Sequence, residues 1–185
     1  MEVDLRERIA ECRACGLRLG CHGPVYGTEG RRFFLVGEAP GATEDATGQP
    51  FVGASGKFLT SLLQEVGLSR EAFFVTNLVK CRPPHNRPPR RSEIDCCLPH
   101  LKDQLELYQP YGVVTLGALP AQAFGVMTKV TQAMGQVYDA SLGRWSGWVA
   151  PLIHPAYGMR FRGKSEGPLV EMRRALRAVA ERVQP

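Results

Sequence analysis

The sequence has 185 residues, of which 44% are hydrophobic and 22% are charged, and its formal net charge is +5. This composition is sufficient for a substantial core, so we expect one globular domain over residues 1–185 rather than a disordered tail. No apolar run is long enough to cross a bilayer and the N-terminus lacks a secretory signal, which excludes a membrane protein and favours a cytoplasmic location. The charge comes mostly from arginine, which favours phosphate-bearing partners such as nucleic acid.

The cysteines suggest a metal site. In a reducing compartment six cysteines are not expected to form structural disulfides, so metal binding or simple burial must account for them. Cys12 and Cys15 form a CxxC pair, whereas Cys81 and Cys97 lie far downstream. This spacing differs from the two tight pairs of a zinc ribbon and suits a cluster that bridges the N-terminus and a mid-chain segment. On spacing alone, an iron–sulfur cluster, zinc and buried thiols all remain open, and two further cysteines complicate the choice.

Short apolar runs alternate with helical patterns along the chain. The runs predict strands that are buried on both faces, at residues 32–36, 73–78, 113–116 and 149–153. Apolar residues at helical spacing predict helices at residues 57–66, 92–108 and 169–183. This alternation predicts an α/β fold in which helices cover both faces of a parallel or mixed sheet.

Three loops are expected to form a pocket. Residues 37–56 and 80–91 interrupt the regular pattern, and residues 154–164 follow the last predicted strand. Long irregular loops in compact domains are usually functional, and open α/β sheets bind ligands at the carboxyl ends of their strands. The sequence therefore predicts a ligand site at one edge of the sheet.

Individual side chains in these loops have both functional and structural interpretations. The acidic segment 37–45 is by itself typical of a solvated turn. The ring of Phe51 could stack on a flat ligand, although buried aromatic rings more often fill cores. The amide of Asn77, at the end of the second strand, offers a donor and an acceptor, and capping a turn is the equal alternative. His154 could donate a hydrogen bond to charge on a leaving group, or could be structural.

The proline-rich segment 81–91 is basic and stiff, so it could follow a phosphate backbone. Its candidate phosphate contacts are Arg82, Arg87, Arg90 and Arg91, and Arg160 is a further candidate in the loop after the last strand. A solvated surface loop is the alternative interpretation.

Ordered motifs from Cys12 to Tyr157 give the chain a specific resemblance. They are the CxxC of residues 12–15, GEAPG-xx-ED at 37–45, G-x-PFVG at 48–53, TN-x-VKCRPP-x-NR at 76–87, the cysteine at 97 and HPAY at 154–157. In this combination the chain resembles the family 4 uracil-DNA glycosylases of bacteria and archaea. Chance agreement of so many ordered motifs is improbable.

The resemblance implies an α/β/α sandwich around a central four-stranded, mainly parallel sheet. It implies a monomeric, monofunctional enzyme that flips uracil out of single- or double-stranded DNA and hydrolyses its N-glycosidic bond, leaving an abasic site. It also implies a structural [4Fe-4S] cluster with the ligands Cys12, Cys15, Cys81 and Cys97. Cys21 and Cys96 match no ligand position.

The resemblance also implies roles in base recognition. Glu38, Ala39 and Pro40 match the segment that lines the uracil pocket, and Phe51 matches the residue that stacks on the base. Asn77 matches the residue that reads the polar edge of uracil, and selectivity then requires neighbouring groups to hold its amide in one orientation. His154 matches the residue near uracil O2 and is the candidate donor to the departing anion.

The water-positioning group and the DNA wedge are less clear, because better-known uracil glycosylases have an aspartate at the position of Ala39. We expect Glu38 to position the water and Glu44 to shape the pocket. After HPAY the family commonly has bulky aliphatic residues that this chain lacks, so Met159 or Tyr157 is the candidate wedge.

Two other functions remain possible on the sequence. A DNA-binding iron–sulfur module could retain the fold without catalysis, and its only support is the alanine after Glu38 and the altered loop after His154. A small electron-transfer protein would explain the cysteines, but it gives no reason for Phe51, Asn77 and His154.

Overall fold

A computed structural model describes residues 2–28, 32–164 and 166–183, so residues 1, 29–31, 165 and 184–185 of the predicted domain lie outside it. The strands are β1 Phe33–Gly37, β2 Phe73–Asn77, β3 Gly112–Leu116, β4 Tyr138–Leu142 and β5 Trp145–Leu152. The helices are α1 Glu2–Ala10, α2 Ala42–Thr47, α3 Ala54–Glu65, α4 Arg91–Tyr108, α5 Ala118–Ala123, α6 Val130–Ala133, α7 Pro155–Gly158 and α8 Pro168–Val183. Short 3-10 turns lie at Gly16–Gly20, Arg70–Ala72, Pro84–Asn86 and Met159–Phe161.

The described strands form one mixed sheet in the order β2-β1-β3-β5-β4. β1 is parallel to β2 and β3, and β3 is parallel to β5. The sheet thus has five strands, and the prediction of four was wrong because β4 was missed. β4 is an edge strand antiparallel to β5, and its partly buried residues alternate with exposed ones instead of forming an apolar run. An antiparallel edge strand on an otherwise parallel sheet is a common arrangement.

Helices cover both faces of the sheet, which confirms the predicted α/β/α layers. Successive side chains of a strand point to opposite faces. Phe34 and Val36 of β1 therefore pack in a core with residues of α1, α4 and α5. Phe33 and Leu35 pack in a second core with residues of α3 and α8.

The three predicted helices correspond to α3, α4 and α8, and each observed boundary lies within three residues of the prediction. Helix α1 was not predicted, although Leu5 and Ile9 lie four residues apart and are both buried. None of the described helices has the length and apolar character needed to span a membrane.

The topology brings the predicted loops together. β2, β1, β3 and β5 run in the same direction, so the segments that follow their carboxyl ends all emerge at one edge of the sheet. Gly37 at the end of β1 lies beside Asn77 at the end of β2, and Leu116 of β3 lies beside Leu152 of β5. The residues after these four strand ends build the site described next.

Candidate active site

A cavity of about 320 Å³ lies at the carboxyl edge of the sheet. The residues that line it include all seven candidates for substrate binding, namely Glu38, Ala39, Pro40, Glu44, Phe51, Asn77 and His154. They come from the loops after β1, β2 and β5, as the topology requires. The sequence analysis assigned no pocket role to Ser55, Pro83, Asn86 or Ala156, which also line the cavity. We call this cavity the base pocket.

Asn77 lines the base pocket with an amide that lacks hydrogen-bond partners. Its side chain is almost fully buried, and neither Oδ1 nor Nδ2 has a partner among the described residues. Buried polar side-chain atoms nearly always have a partner, so a donor and an acceptor left unpaired beside a cavity indicate a ligand that completes both bonds. The expectation that neighbouring groups hold the amide is not met by any hydrogen bond in the described chain.

The ring of Phe51 and the amide of Asn77 converge over Gly37. A Cβ atom at Gly37 would overlap the Phe51 ring and would lie 2.5 Å from Oδ1 of Asn77. The ring of Phe51 also lies beside the imidazole of His154, with 6.2 Å between the ring centroids. Glycine at position 37 therefore allows the ring of Phe51 and the amide of Asn77 to share one wall of the pocket.

His154 is held in a defined tautomer by the turn that follows it. Its Nδ1 accepts a hydrogen bond from the backbone N–H of Ala156 at 3.2 Å. Burial lowers the pKa of His154, and the nearby carboxylate of Glu44 opposes this shift. The neutral ring that burial favours must then carry its proton on Nε2, because Nδ1 is the acceptor. His154 is therefore a neutral donor beside the pocket.

Glu38 and His154 approach each other around Gly117, the residue after β3. A Cβ atom at Gly117 would lie 3.6 Å from Cβ of His154 and 3.7 Å from Oε2 of Glu38. The φ angle of Gly117 is +108°, which favours glycine. Burial raises the pKa of Glu38. The sequence analysis did not identify Gly117, although its place after a predicted strand was the available signal.

Glu44 is buried and uses both carboxylate oxygens on the backbone. Oε1 accepts hydrogen bonds from the N–H of Val52 at 3.0 Å and of Gly53 at 2.8 Å. Oε2 accepts from the N–H of Gly41 at 3.2 Å. This carboxylate fixes the loops on two sides of the pocket, so the geometry supports the expected pocket-shaping role and leaves Glu38 as the candidate to position water.

A second, smaller cavity gathers the cysteines. Its lining includes Cys12, Cys15, Cys81, Cys96 and Cys97. All six cysteines of the chain are free thiols. Burial, together with neighbouring thiols, raises the pKa of Cys15, Cys81 and Cys97. The fold thus brings together the four thiols predicted from distant parts of the sequence, with Cys96 beside them.

The donor chemistry of these thiols is compatible with an iron–sulfur cluster. Among the described residues, no group of three or more histidine, cysteine or acidic side chains is placed to hold one metal ion. Four thiols and no carboxylate form the predicted ligand set, which is the donor chemistry of iron–sulfur clusters. Two N–H groups face the thiols: the backbone N–H of Lys80 lies 3.2 Å from Sγ of Cys97, and Nε of Arg18, in the same cavity, is buried without a partner.

Cys21 is closer to this site than the sequence suggested, because, after burial, its thiol contributes to the raised pKa of Cys81. The Cys21 thiol also lies 3.9 Å from the carbonyl oxygen of Arg18. Its position makes Cys21 and Cys96 the two cysteines against which the predicted ligand set has to be tested.

The comparison with known families identifies the fold. The family model described as the uracil DNA glycosylase superfamily matches residues 24–177. The chain belongs to this superfamily. The type-4 uracil-DNA glycosylase of Thermotoga maritima is 41% identical over 169 residues, which cover 88% of this chain and 84% of that protein. The type-4 enzyme of Archaeoglobus fulgidus is 40% identical, covering 83% of this chain and 80% of that protein.

A more distant relative helps to place the chain within the superfamily. The type-5 uracil-DNA glycosylase of Pyrobaculum aerophilum is 33% identical over 136 residues, which cover 64% of this chain and 60% of that protein. Identity and coverage are both higher for the type-4 relatives, which confirms the resemblance inferred from the motifs.

Acidic side chains of α4 partly neutralise the arginines of residues 81–91, which we call the basic loop. Arg87 lines the base pocket and forms a two-pronged ion pair with Glu93, with N–O distances of 2.6 and 2.8 Å. This hydrogen-bonded pair lowers the pKa of Glu93 to about 2. Arg91 pairs with Asp95 on the exposed side of α4 through one nitrogen, because Nε donates to both carboxylate oxygens at 2.8 and 3.1 Å. A phosphate would therefore compete with Glu93 for Arg87 and with Asp95 for Arg91.

Two of the remaining candidates for DNA contact, Arg90 and Arg160, are exposed. Arg82 is half-buried, and its Nε donates to Oδ1 of Asn86 at 2.7 Å. Of the two wedge candidates, Tyr157 is 41% exposed, whereas Met159 packs against the core below α8. The geometry favours Tyr157 as the side chain that could reach into a base stack.

Proposed function

We propose that this chain is a uracil-DNA glycosylase that hydrolyses the bond between uracil and deoxyribose and leaves an abasic site. The observation that carries the proposal is the buried amide of Asn77 beside the ring of Phe51. Its donor and its acceptor have no partner among the described residues. Uracil presents an acceptor at O4 and a donor at N3, so one amide can satisfy both groups. The similarity to type-4 uracil-DNA glycosylases supports the same activity.

The proposed reaction begins when the nucleotide leaves the base stack, which costs a few kcal/mol. Uracil then enters the base pocket, where Phe51 stacks on its face and Glu38, Ala39 and Pro40 line the wall. Breaking the glycosidic bond places negative charge on the departing uracil. The Nε2–H of neutral His154 stabilises this charge near O2, and such a donor typically contributes about a hundredfold in rate.

Water must then attack the sugar, and we propose that Glu38 positions it. The carboxylate of Glu38 and the side chain of His154 both lie beside Gly117, which supports a role for Glu38 at the same side of the pocket. Its raised pKa suits a carboxyl group that is poised to accept a proton from water. Glu44 acts through the backbone amides that it holds rather than through the substrate.

We further propose that Cys12, Cys15, Cys81 and Cys97 hold a [4Fe-4S] cluster. When bound, the cluster supplies a structural link between the N-terminal segment and the basic loop, since base hydrolysis requires no electron transfer. The proposed DNA contacts are Arg82, Arg87, Arg90, Arg91 and Arg160, on single- or double-stranded DNA. We expect the chain to act in the cytoplasm as a monomer with one domain over residues 1–185.

The decisive experiment measures uracil release from a labelled oligonucleotide. The purified protein should free uracil from a strand that contains one deoxyuridine and should leave matched strands with thymine or cytosine intact. Abasic sites should accumulate in step with the released base. A protein that binds the uracil strand but releases no base would instead be the non-catalytic DNA-binding module.

A further inference from the structure

The loop that carries Phe51 is held by opposite charges on its two sides. Nη2 of Arg70 donates to the carbonyl of Pro50 at 2.6 Å, and Nη1 donates to the carbonyl of Phe51 at 3.1 Å. The next two residues present their N–H groups to Glu44, as described above. A guanidinium thus binds the carbonyls of residues 50 and 51, and a carboxylate binds the amides of residues 52 and 53.

This loop needs support because its backbone is strained at Phe51. The φ angle of Phe51 is +51°, in the left-handed region that residues other than glycine, asparagine and aspartate rarely adopt. Helix α3 also begins directly against this residue, since a Cβ atom at Gly56 would overlap the Phe51 carbonyl. Strained conformations of this kind persist only where surrounding contacts enforce them.

Arg70 supplies these contacts from a half-buried position. Burial lowers the pKa of Arg70, and the nearby Glu44 opposes the shift. Its guanidinium makes a third hydrogen bond, to Oγ1 of Thr60 at 3.3 Å. Arg70 lines a separate groove and is not among the residues that line the base pocket. An effect of Arg70 on base binding therefore passes through the loop, or through the charge of Glu44, which holds the same loop.

We infer that Arg70 is a positioning residue that holds the Phe51 ring at the angle needed to stack on the base. The inference rests on the proposed function, because it assumes that Phe51 stacks on uracil. A stacking contact exists before and during bond cleavage, so losing its alignment should weaken base binding more than it slows the chemical step.

The test compares Arg70→Met and Arg70→Lys with the parent. Arg70→Met should raise both KM for a uracil-containing oligonucleotide and the inhibition constant of free uracil by about tenfold, with kcat changed less than threefold. Arg70→Lys should fall between, because one ammonium cannot bind both carbonyls as the fork does. Arg173→Met is the matched control, since Arg173 pairs with Glu65 at the far end of α3 and should leave both constants unchanged.

A double-mutant cycle separates positioning from general destabilisation. If Arg70 acts through the ring, Arg70→Met should add almost nothing to the loss already caused by Phe51→Ala. Thermal melts establish that each variant is folded at the assay temperature, and Arg70→Lys carries the cycle if Arg70→Met does not fold. Additive losses, or parental affinity for free uracil in both Arg70 variants, would overturn the inference. A parent that releases no uracil would instead refute the proposed function.

Discussion

The base pocket and the cysteine cavity lie at the two ends of one short segment but are built in different ways. Asn77 ends β2 and faces the base pocket, whereas Cys81, four residues later, lines the cysteine cavity. In the pocket, residues at the strand ends present polar groups, and glycines at positions 37 and 117 let these groups approach closely. In the cavity, burial and, after it, the neighbouring thiols raise the pKa of Cys81 and Cys97, so both favour the protonated form.

Lys80 connects the two regions physically. Its backbone N–H lies 3.2 Å from Sγ of Cys97, and its buried Nζ donates to the carbonyl of Asn77 at 2.8 Å. Nζ also donates to Gln104 Oε1 at 2.6 Å and to Thr76 Oγ1 at 2.7 Å. The hydrogen bonds of the described chain shape the base pocket, whereas the proposed cluster would complete the cysteine cavity. The following experiments test that distinction.

The largest effect is expected for the cysteine cavity. Protein purified without oxygen should be brown and contain about four irons per chain, and Cys97→Ala should lose them all because a Cys₄ site needs each thiolate. Iron content and visible absorbance measure the outcome. Cys21→Ala and Cys96→Ala are the matched controls and should keep their iron. Iron that survives in Cys97→Ala but not in Cys96→Ala would show that Cys96, and not Cys97, is the ligand.

In the base pocket, the largest effect is expected for His154→Ala. The single-turnover rate of uracil release should fall by about a hundredfold, because the donor to the departing anion is removed. The affinity for uracil-containing DNA should change far less, and the iron content should not change. Equal losses in rate and affinity would make His154 a binding residue.

Asn77→Asp tests whether the amide reads the base edge. An ionised carboxylate would repel uracil O4, and the unmet hydrogen bond should cost about 1–3 kcal/mol, which removes most uracil excision. The same carboxylate can accept from the amino group of cytosine, so slow cytosine excision is an expected gain. Both are measured on oligonucleotides that differ in one base. If Asn77→Asp excises uracil as fast as the parent and leaves cytosine untouched, Asn77 does not read the base edge.

The sequence predicted the main strands and the pocket residues but missed one strand and two supporting residues. The buried strands and the residues at their ends were predictable, because apolar runs and motifs mark them directly. β4 was missed because an alternating edge strand resembles a polar loop in sequence. Arg70 and Gly117 were missed because their roles depend on close approach between segments that lie far apart in the chain.

The pH dependence tests Glu38 as the water-positioning group. Burial raises its pKa, so the carboxylate is protonated on acidification at a higher pH than an ordinary glutamate. The single-turnover rate should therefore rise with pH through a limb that lies above the usual glutamate range. The residual activity of Glu38→Gln should lack this limb. A limb that persists unchanged belongs to another group, and His154 is then the candidate.

The smallest effect is expected from the basic loop, because its arginines are partly neutralised. Replacing Arg87, Arg90 and Arg91 together with glutamine should weaken DNA binding and flatten its dependence on salt, by about one unit of slope for each phosphate that the loop no longer neutralises. The decrease should be less than three units, since Arg87 and Arg91 already pair with acids of α4.

The control for this variant replaces Arg144, Arg173 and Arg174 with glutamine, which removes the same charge elsewhere. Arg144 lies in the turn before β5, at the end of that strand opposite the base pocket, and the other two lie on α8. A general effect of net charge would change both variants equally. A slope that is unchanged in the loop variant alone would place the DNA on another face of the protein. A slope that falls only there, and by more than the roughly one unit that Arg90 alone accounts for, would show that phosphates displace the acids from Arg87 and Arg91.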